Sequence, residues 1–139
     1  MHAWASLVRV SGNLVARVEA DLRRAKLPPL AQYDALLELH RAGVKGLRPF
    51  ELQHEMLLAQ YNVSRLIVRL VNAGLVERMA SEDDGRGQLL RITMNGKELL
   101  KRMWPVYASA INRHFGHRLE PAEIISLAAI LDKLREDQL

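Results

Sequence analysis

Between Gln60 and Gly74 the chain carries no acidic residue. On a helix advancing about 100° per residue, Val63, Leu66, Ile67 and Leu70 share one apolar face. The opposite face centres on Tyr61, Arg65, Val68 and Asn72, flanked by Asn62, Ser64 and Arg69, with Gln60 at its start. Guanidiniums, amides and hydroxyls without a carboxylate suit contact with a nucleic acid. Arg bonds guanine through two donors, Gln and Asn bond adenine, and Ser and Tyr bond phosphate. Val68 offers methyls to a thymine methyl. A face that is merely solvated normally mixes both charge signs.

A second candidate lies downstream, in Ser81-Glu82-Asp83-Asp84-Gly85-Arg86-Gly87. Arg86 sits between two glycines at what reads as a narrow hairpin tip. One guanidinium on such a tip fits the minor groove, whose negative potential attracts arginine. The neighbouring carboxylates repel phosphate, and Asp84 is assigned the role of orienting an arginine. Enzyme chemistry has no comparable footing, since no Gly-x-Ser-x-Gly, P-loop or Gly-x-Gly-x-x-Gly occurs. The absence of cysteine removes disulfides, thiolate zinc sites and thiol redox sensing. His114 and His117 lie three apart, so one helical face could present both to a metal with Glu120 nearby. Such a pair is more often structural, and no metal or other cofactor is expected. A metal-responsive regulator stays as an alternative reading.

The elements that must position these groups follow from periodicity and chain breakers. Leu7, Leu14, Val18 and Leu22 recur at helical spacing and predict a long first helix that stops at Leu27-Pro28-Pro29. A second helix carries Tyr33, Leu36 and Leu37 and closes at Gly43. Pro49 opens a short third helix through Leu52 and Met56. The fourth is the amphipathic segment above, closed by Gly74. Two runs of strand length, 75–79 and 89–92, flank the charged tip. Thr93 then caps a fifth helix, expected from about Met94 to His117, with Pro105 inside it. Pro121 starts a sixth helix with Ile124, Leu127, Leu131 and Leu134 on its buried face.

This order is a helix-turn-helix followed by a β-hairpin wing, in a mainly α chain. At 139 residues one domain is expected over 1–139. Within it, 30–93 would form the winged lobe, while 1–27 and 94–139 would bury each other across a two-fold axis. Charge supports the division. Of the 20 Lys and Arg, 11 fall in residues 41–102, against 7 acidic residues there. The overall balance is +4, and basic groups clustered in one part of a chain are the footprint of a nucleic-acid binder. No apolar run approaches the roughly 20 residues of a membrane span, and no signal-peptide core precedes Arg9. A soluble, cytoplasmic chain without membrane partners is the expectation.

The stretches QYNVSRLIVRLVNAGLVER and SEDDGRGQLLRITMNGKELL resemble the MarR family of winged helix-turn-helix transcriptional regulators. The matching residues are Ser64-Arg65-Leu66, Gly74-Leu75-Val76-Glu77-Arg78, Asp84-Gly85-Arg86 and Ile92-Thr93-Met94-Asn95-Gly96, with LPPLAQYDALLEL upstream. The resemblance implies a homodimeric regulator, usually a repressor, on a pseudo-palindromic double-stranded DNA site. It places DNA contacts on Gln60, Tyr61, Asn62, Ser64, Arg65, Arg69 and Arg86. Dimer contacts would use Trp4, Leu7, Phe115, Leu127, Leu131 and Leu134. Family effectors are small aromatic acids or lipophilic compounds, and Arg17, Tyr33, His40 and Trp104 are the candidate pocket residues. Two departures stand out. Ala59 takes the place of the usual Ser or Thr N-cap, a loss of about 1 kcal/mol relative to Ser. Val68 stands where the family often has an acid. A winged helix that binds protein instead of DNA is the remaining alternative.

Overall fold

The computed structural model describes residues 1–58, 61–80 and 87–135. Six helices and one hairpin appear in the expected order. They are α1 (His2–Arg24), α2 (Leu30–Ala42), α3 (Pro49–Glu55), α4 (Val63–Asn72), β1 (Val76–Ala80), β2 (Gln88–Ile92), α5 (Met94–His114) and α6 (Pro121–Asp132). Short 3₁₀ turns at Gly43–Lys45 and Gly116–Arg118 follow α2 and α5.

The core is aliphatic, as a chain with so few aromatics requires. Leu22 of α1, Leu36 and Leu39 of α2, Leu52 of α3, Leu70 of α4, Leu90 of β2 and Met103 of α5 are its fully buried large side chains. α2 runs through its middle, touching α1, α3, α4, α5 and β2. α1 ends where Lys26 takes a left-handed φ of 58°. The Glu19 carboxylate then accepts from the Leu30 amide at 3.0 Å and fixes the corner into α2. The hairpin is antiparallel, with Val76 opposite Ile92 and Ala80 opposite Gln88. Leu47 adds a bridge to Leu90, its amide donating at 3.0 Å and its carbonyl accepting at 2.8 Å. That bridge needs Gly46 beside it. A Cβ there would lie 2.7 Å from the Leu90 carbonyl oxygen.

One expected boundary is corrected. α5 stops at His114, not His117, because Phe115 leaves the helical region (φ −129°, ψ −64°) and Gly116 follows. The face of α6 expected to be buried is not buried within the chain. No residue of α6 is. Ile124 and Leu127 are half-buried, Leu131 is exposed, and Leu134 lies beyond the helix end with 66% of its surface exposed. The first half of α1 is similar, with Trp4, Leu7, Val8 and Val10 all exposed. Among the described residues, Trp4, Val8 and Val10 of α1 and Ile125 and Ile130 of α6 keep more than half of their surface exposed.

Candidate nucleic-acid interface

α4 begins at Val63, and its N-cap is Asn62 rather than Ala59. The Asn62 side-chain oxygen accepts from the Arg65 amide at 3.1 Å, so the helix has a good cap and the expected deficit does not arise. Ala59 and Gln60 lie outside the described residues, as do Asp84 and Arg86. Val63, Leu66, Ile67 and Leu70 are buried. Ser64, Arg65, Val68, Arg69 and Asn72 are exposed together and line one open face. Asn62 is exposed at its N-terminal edge.

Tyr61 departs from the expected placement. It precedes the helix and packs against the core. Its hydroxyl is buried without a hydrogen-bond partner among the described residues, so in this conformation it does not face a phosphate. Burial, reinforced by the charges of Asp34 and Glu19, pushes that hydroxyl's pKa up to about 12.

The far end of α4 is locked to α5. Gly74 closes the helix with φ 75°. The Thr93 hydroxyl donates to the Gly74 carbonyl at 2.7 Å and accepts from the Gly96 amide at 3.1 Å. The Thr93 amide donates to the Leu75 carbonyl at 3.0 Å. Gly96 sits against the same carbonyl, and a Cβ there would collide with it and lie 2.6 Å from Ile92 Cγ1. The Ile-Thr-x-x-Gly pattern is therefore the joint between α4 and α5.

The near end of α4 is held from α2. Asp34, 6% exposed, accepts from the Leu57 amide at 2.6 Å. Burial is the main cause that raises its pKa above the usual carboxylate range, with the Leu57 bond opposing. Asp34 lies directly after Tyr33 in α2. Its polarity reads as an exposed position in the sequence, so no signal there revealed it.

Tyr33, His40 and Trp104 line one groove of about 500 Å³ between α2 and α5, together with Leu37, Lys97 and Lys101. Trp104 stacks on Tyr33 at 6.4 Å between centroids and 18° between planes, and Tyr107 meets Tyr33 edge-on at 4.8 Å. Burial raises the Tyr33 and Tyr107 hydroxyls above the ordinary tyrosine value. Arg17 is exposed on α1 and does not line this groove. Lys97 and Lys101 were not singled out from the sequence, although their spacing on one helical face would have allowed it.

The histidines do not form a helical pair. His117 is in the 3₁₀ turn beyond α5 and exposed. His114 Nε2 lies 2.9 Å from Asp21 Oδ2. Asp21 is a buried carboxylate of α1 that also meets Arg24 at 2.9 Å and Arg113 at 3.0 Å. This cluster ties α1 to α5. Among the described residues no group of three His, Cys, Asp or Glu is arranged to hold a metal ion, and no helix is long and apolar enough to cross a membrane. Phe115 is half-buried, beside Leu14, Ile111 and His114.

Residues 26–87 match the model of the MarR family. Over 126 residues the chain is 25% identical to the multiple antibiotic resistance protein MarR of Escherichia coli (strain K12), covering 88% of this chain and 86% of that protein. It superposes with a TM-score of 0.84 on a MarR family transcriptional regulator from Streptomyces coelicolor solved in complex with DNA. There the identity is 27%, with 95% of this chain and 86% of that chain covered. A Bordetella bronchiseptica protein, BpsR, whose DNA binding is regulated by 6-hydroxynicotinic acid, gives a TM-score of 0.81 at 25% identity, covering 95% and 91%. The sequence motifs fall on the helix-turn-helix and joint that these likenesses span, and the chain is similar to MarR family regulators over its family-model match at 26–87 and, in fold, over 95% of its length.

Proposed function

We propose that the chain is a homodimeric, sequence-specific DNA-binding transcriptional regulator, a repressor released by a small aromatic or lipophilic effector. The observation that carries this reading is the exposed, acid-free face of α4, with Ser64, Arg65, Arg69 and Asn72 side by side. α4 enters the major groove, its N-terminal residues facing base edges. Arg65 and Arg69 reach guanine or phosphate, and Gln60 and Asn62 bond adenine or backbone. Arg86, oriented by Asp84, enters the minor groove.

Residues 30–93 act as the DNA-reading lobe, with 1–27 and 94–139 as the dimerising part. The exposed Trp4, Leu7, Ile130, Leu131 and Leu134 support that assignment, because a two-fold partner gives them something to bury against. The two α4 helices then lie about one DNA turn apart, roughly 34 Å, over a pseudo-palindrome. The groove between α2 and α5 takes the effector. Its Tyr33 and Trp104 walls suit a planar ring, and His40, Lys97 and Lys101 suit an acid group on it. A hydroxylated aromatic acid regulates the relative BpsR. The protein acts in the cytoplasm, on chromosomal DNA.

The test is to incubate the purified protein with sheared DNA from its own source and sequence what is retained. Enrichment of a short inverted repeat is expected. It should be lost at high salt, since each neutralised phosphate releases counterions, and lost in an Arg65→Ala variant. No enrichment by the wild-type protein at low salt, or enrichment unchanged by Arg65→Ala, defeats the reading.

A further inference from the structure

Asp34 takes no part in the contacts assigned above, and it is costly where it stands. A carboxylate buried among apolar groups is disfavoured unless a partner needs it. Its partner is the Leu57 amide, 23 residues away in the turn between α3 and α4, at 2.6 Å. This is a short bond for an amide donor and a carboxylate acceptor. The other hydrogen bonds of that turn stay inside the α3–α4 unit. The Met56 amide bonds to the Leu52 carbonyl, the Leu66 amide to the Asn62 carbonyl, and the Arg65 amide to the Asn62 side chain. Among the described residues of the turn, the Leu57 amide makes the hydrogen bond that reaches another helix.

Tyr61, on the α4 side of the turn, feels the same carboxylate, whose charge disfavours its ionisation. Beside Asp34 lies a cavity of about 250 Å³ walled by Glu38, Arg41, Glu55, Leu57 and Tyr107. On this side the Asp34–Leu57 hydrogen bond, rather than close packing, joins Leu57 to α2.

We propose that Asp34 is a positioning residue for DNA recognition, its carboxylate fastening the α3–α4 turn to α2 and so setting the angle at which α4 is presented. The proposal rests on the DNA-binding reading above. It separates two kinds of DNA affinity. Non-specific binding depends on charge near phosphates and tolerates a loose helix. Specific binding needs α4 held in one orientation.

The experiment compares wild type, Asp34→Ala and Asp34→Asn on two duplexes, the fragment enriched by the wild-type protein and a scrambled duplex of equal length. Asparagine keeps an acceptor oxygen for the Leu57 amide, whereas alanine keeps none. Exchange of the Leu57 amide, followed by NMR on leucine-labelled protein, reports on the tether without any DNA. The expected result is a loss of about tenfold or more by Asp34→Ala on the enriched fragment. Its affinity for the scrambled duplex should stay near wild type, and Asp34→Asn should recover most of the loss. The Leu57 amide should be protected in wild type and Asp34→Asn and exchange faster in Asp34→Ala.

Should Asp34→Ala not fold, Asp34→Glu gives the same comparison. It keeps the charge and displaces the acceptor by one methylene, so specific binding is again expected to fall alone. Equal losses on both duplexes, an unchanged specific affinity, or a Leu57 amide as unprotected in wild type as in the variant would overturn the proposal. Failure of the wild-type protein to enrich any DNA overturns the functional reading and this proposal with it. Normal enrichment with an indifferent Asp34 overturns the proposal alone.

Discussion

Asn62 has two ends, and among the described residues only one of them is bonded. Its Oδ1 accepts the Arg65 amide at 3.1 Å as the cap of α4, which leaves the exposed Nδ2 free to donate toward DNA. Substitution can therefore separate the two roles. Asn62→Ala removes the cap and should cost about 1 kcal/mol, a fall in Tm of about 4 °C for a domain of this size. Asn62→Asp keeps the acceptor, caps as well as asparagine, and adds a negative charge at the positive end of the helix dipole, so Tm should hold or rise slightly. On DNA the order changes. A carboxylate about 4 Å from a phosphate is repelled by about 1 kcal/mol in bulk water and about 4 kcal/mol at an effective dielectric of 20. That range corresponds to roughly a fivefold to several-hundredfold loss of affinity. Asn62→Asp should thus be the better-folded variant and the poorer binder. Thermal melting and fluorescence anisotropy on the enriched duplex measure the two quantities. An Asn62→Asp protein that binds like wild type would show that Asn62 does not face the DNA, and an Asn62→Ala protein with unchanged Tm would show that the cap is not formed.

Gly96→Ala gains helix propensity worth up to about 1 kcal/mol, but its Cβ meets the Leu75 carbonyl and Ile92. Overpacking of about 1–3 kcal/mol should win, read as a lowered Tm. Leu131→Glu places a charge on the exposed apolar surface of α6 and should turn a sedimenting dimer into a monomer that no longer binds the inverted repeat. An unchanged sedimentation coefficient would remove α6 from the interface. Asp34→Asn should raise Tm relative to wild type by more at pH 7 than at pH 4. The folded carboxyl has a raised pKa, so its contribution is full below its unfolded pKa and is lost as pH rises through the folded value. Glu38, Arg41, Glu55, Tyr61 and Tyr107 surround it in both proteins, so their own titrations cancel in the difference. A Tm difference that is flat with pH would show that Asp34 is not held out of water.

What was legible in the sequence was periodic or covalently constrained. The α4 stripe of Val63, Leu66, Ile67 and Leu70 is buried as its spacing requires. Gly74 and Thr93 end one element and cap another because few other residues take a left-handed φ or offer a short side-chain acceptor. The misplaced cap at Ala59 came from aligning a motif, whereas the true cap is wherever the backbone first turns helical, and Asn62 is there. The end of α5 was misplaced because Phe115 has ordinary helix propensity and only its backbone angles reveal the break. Asp34 and Asp21 were invisible for another reason. Polar residues are presumed exposed, and burial of a carboxylate depends on partners 23 and 93 residues away. Arg17, a candidate pocket residue from the resemblance, is exposed on α1 instead.

The two helices that wall the groove also carry the Leu57 tether and the Thr93 joint, which lie on either side of α4. At its start, α2 holds the preceding turn through Asp34 and Leu57. At its end, α5 holds Gly74 and Leu75 through Thr93, with Gly96 packed too closely to allow slack. A ligand lying between α2 and α5 therefore needs no contact with α4 to act on it. A change in the spacing of those helices would reach α4 through these two joints. The energy available is the ligand's difference in affinity for the two spacings, so a tightly bound compound that fits both equally would leave DNA binding unchanged. Potency as an effector should then follow how far a ring displaces Trp104 from its stack on Tyr33, rather than binding strength alone. In a series of ring-bearing acids, a strict proportionality between affinity for the free protein and loss of DNA binding would refute this route.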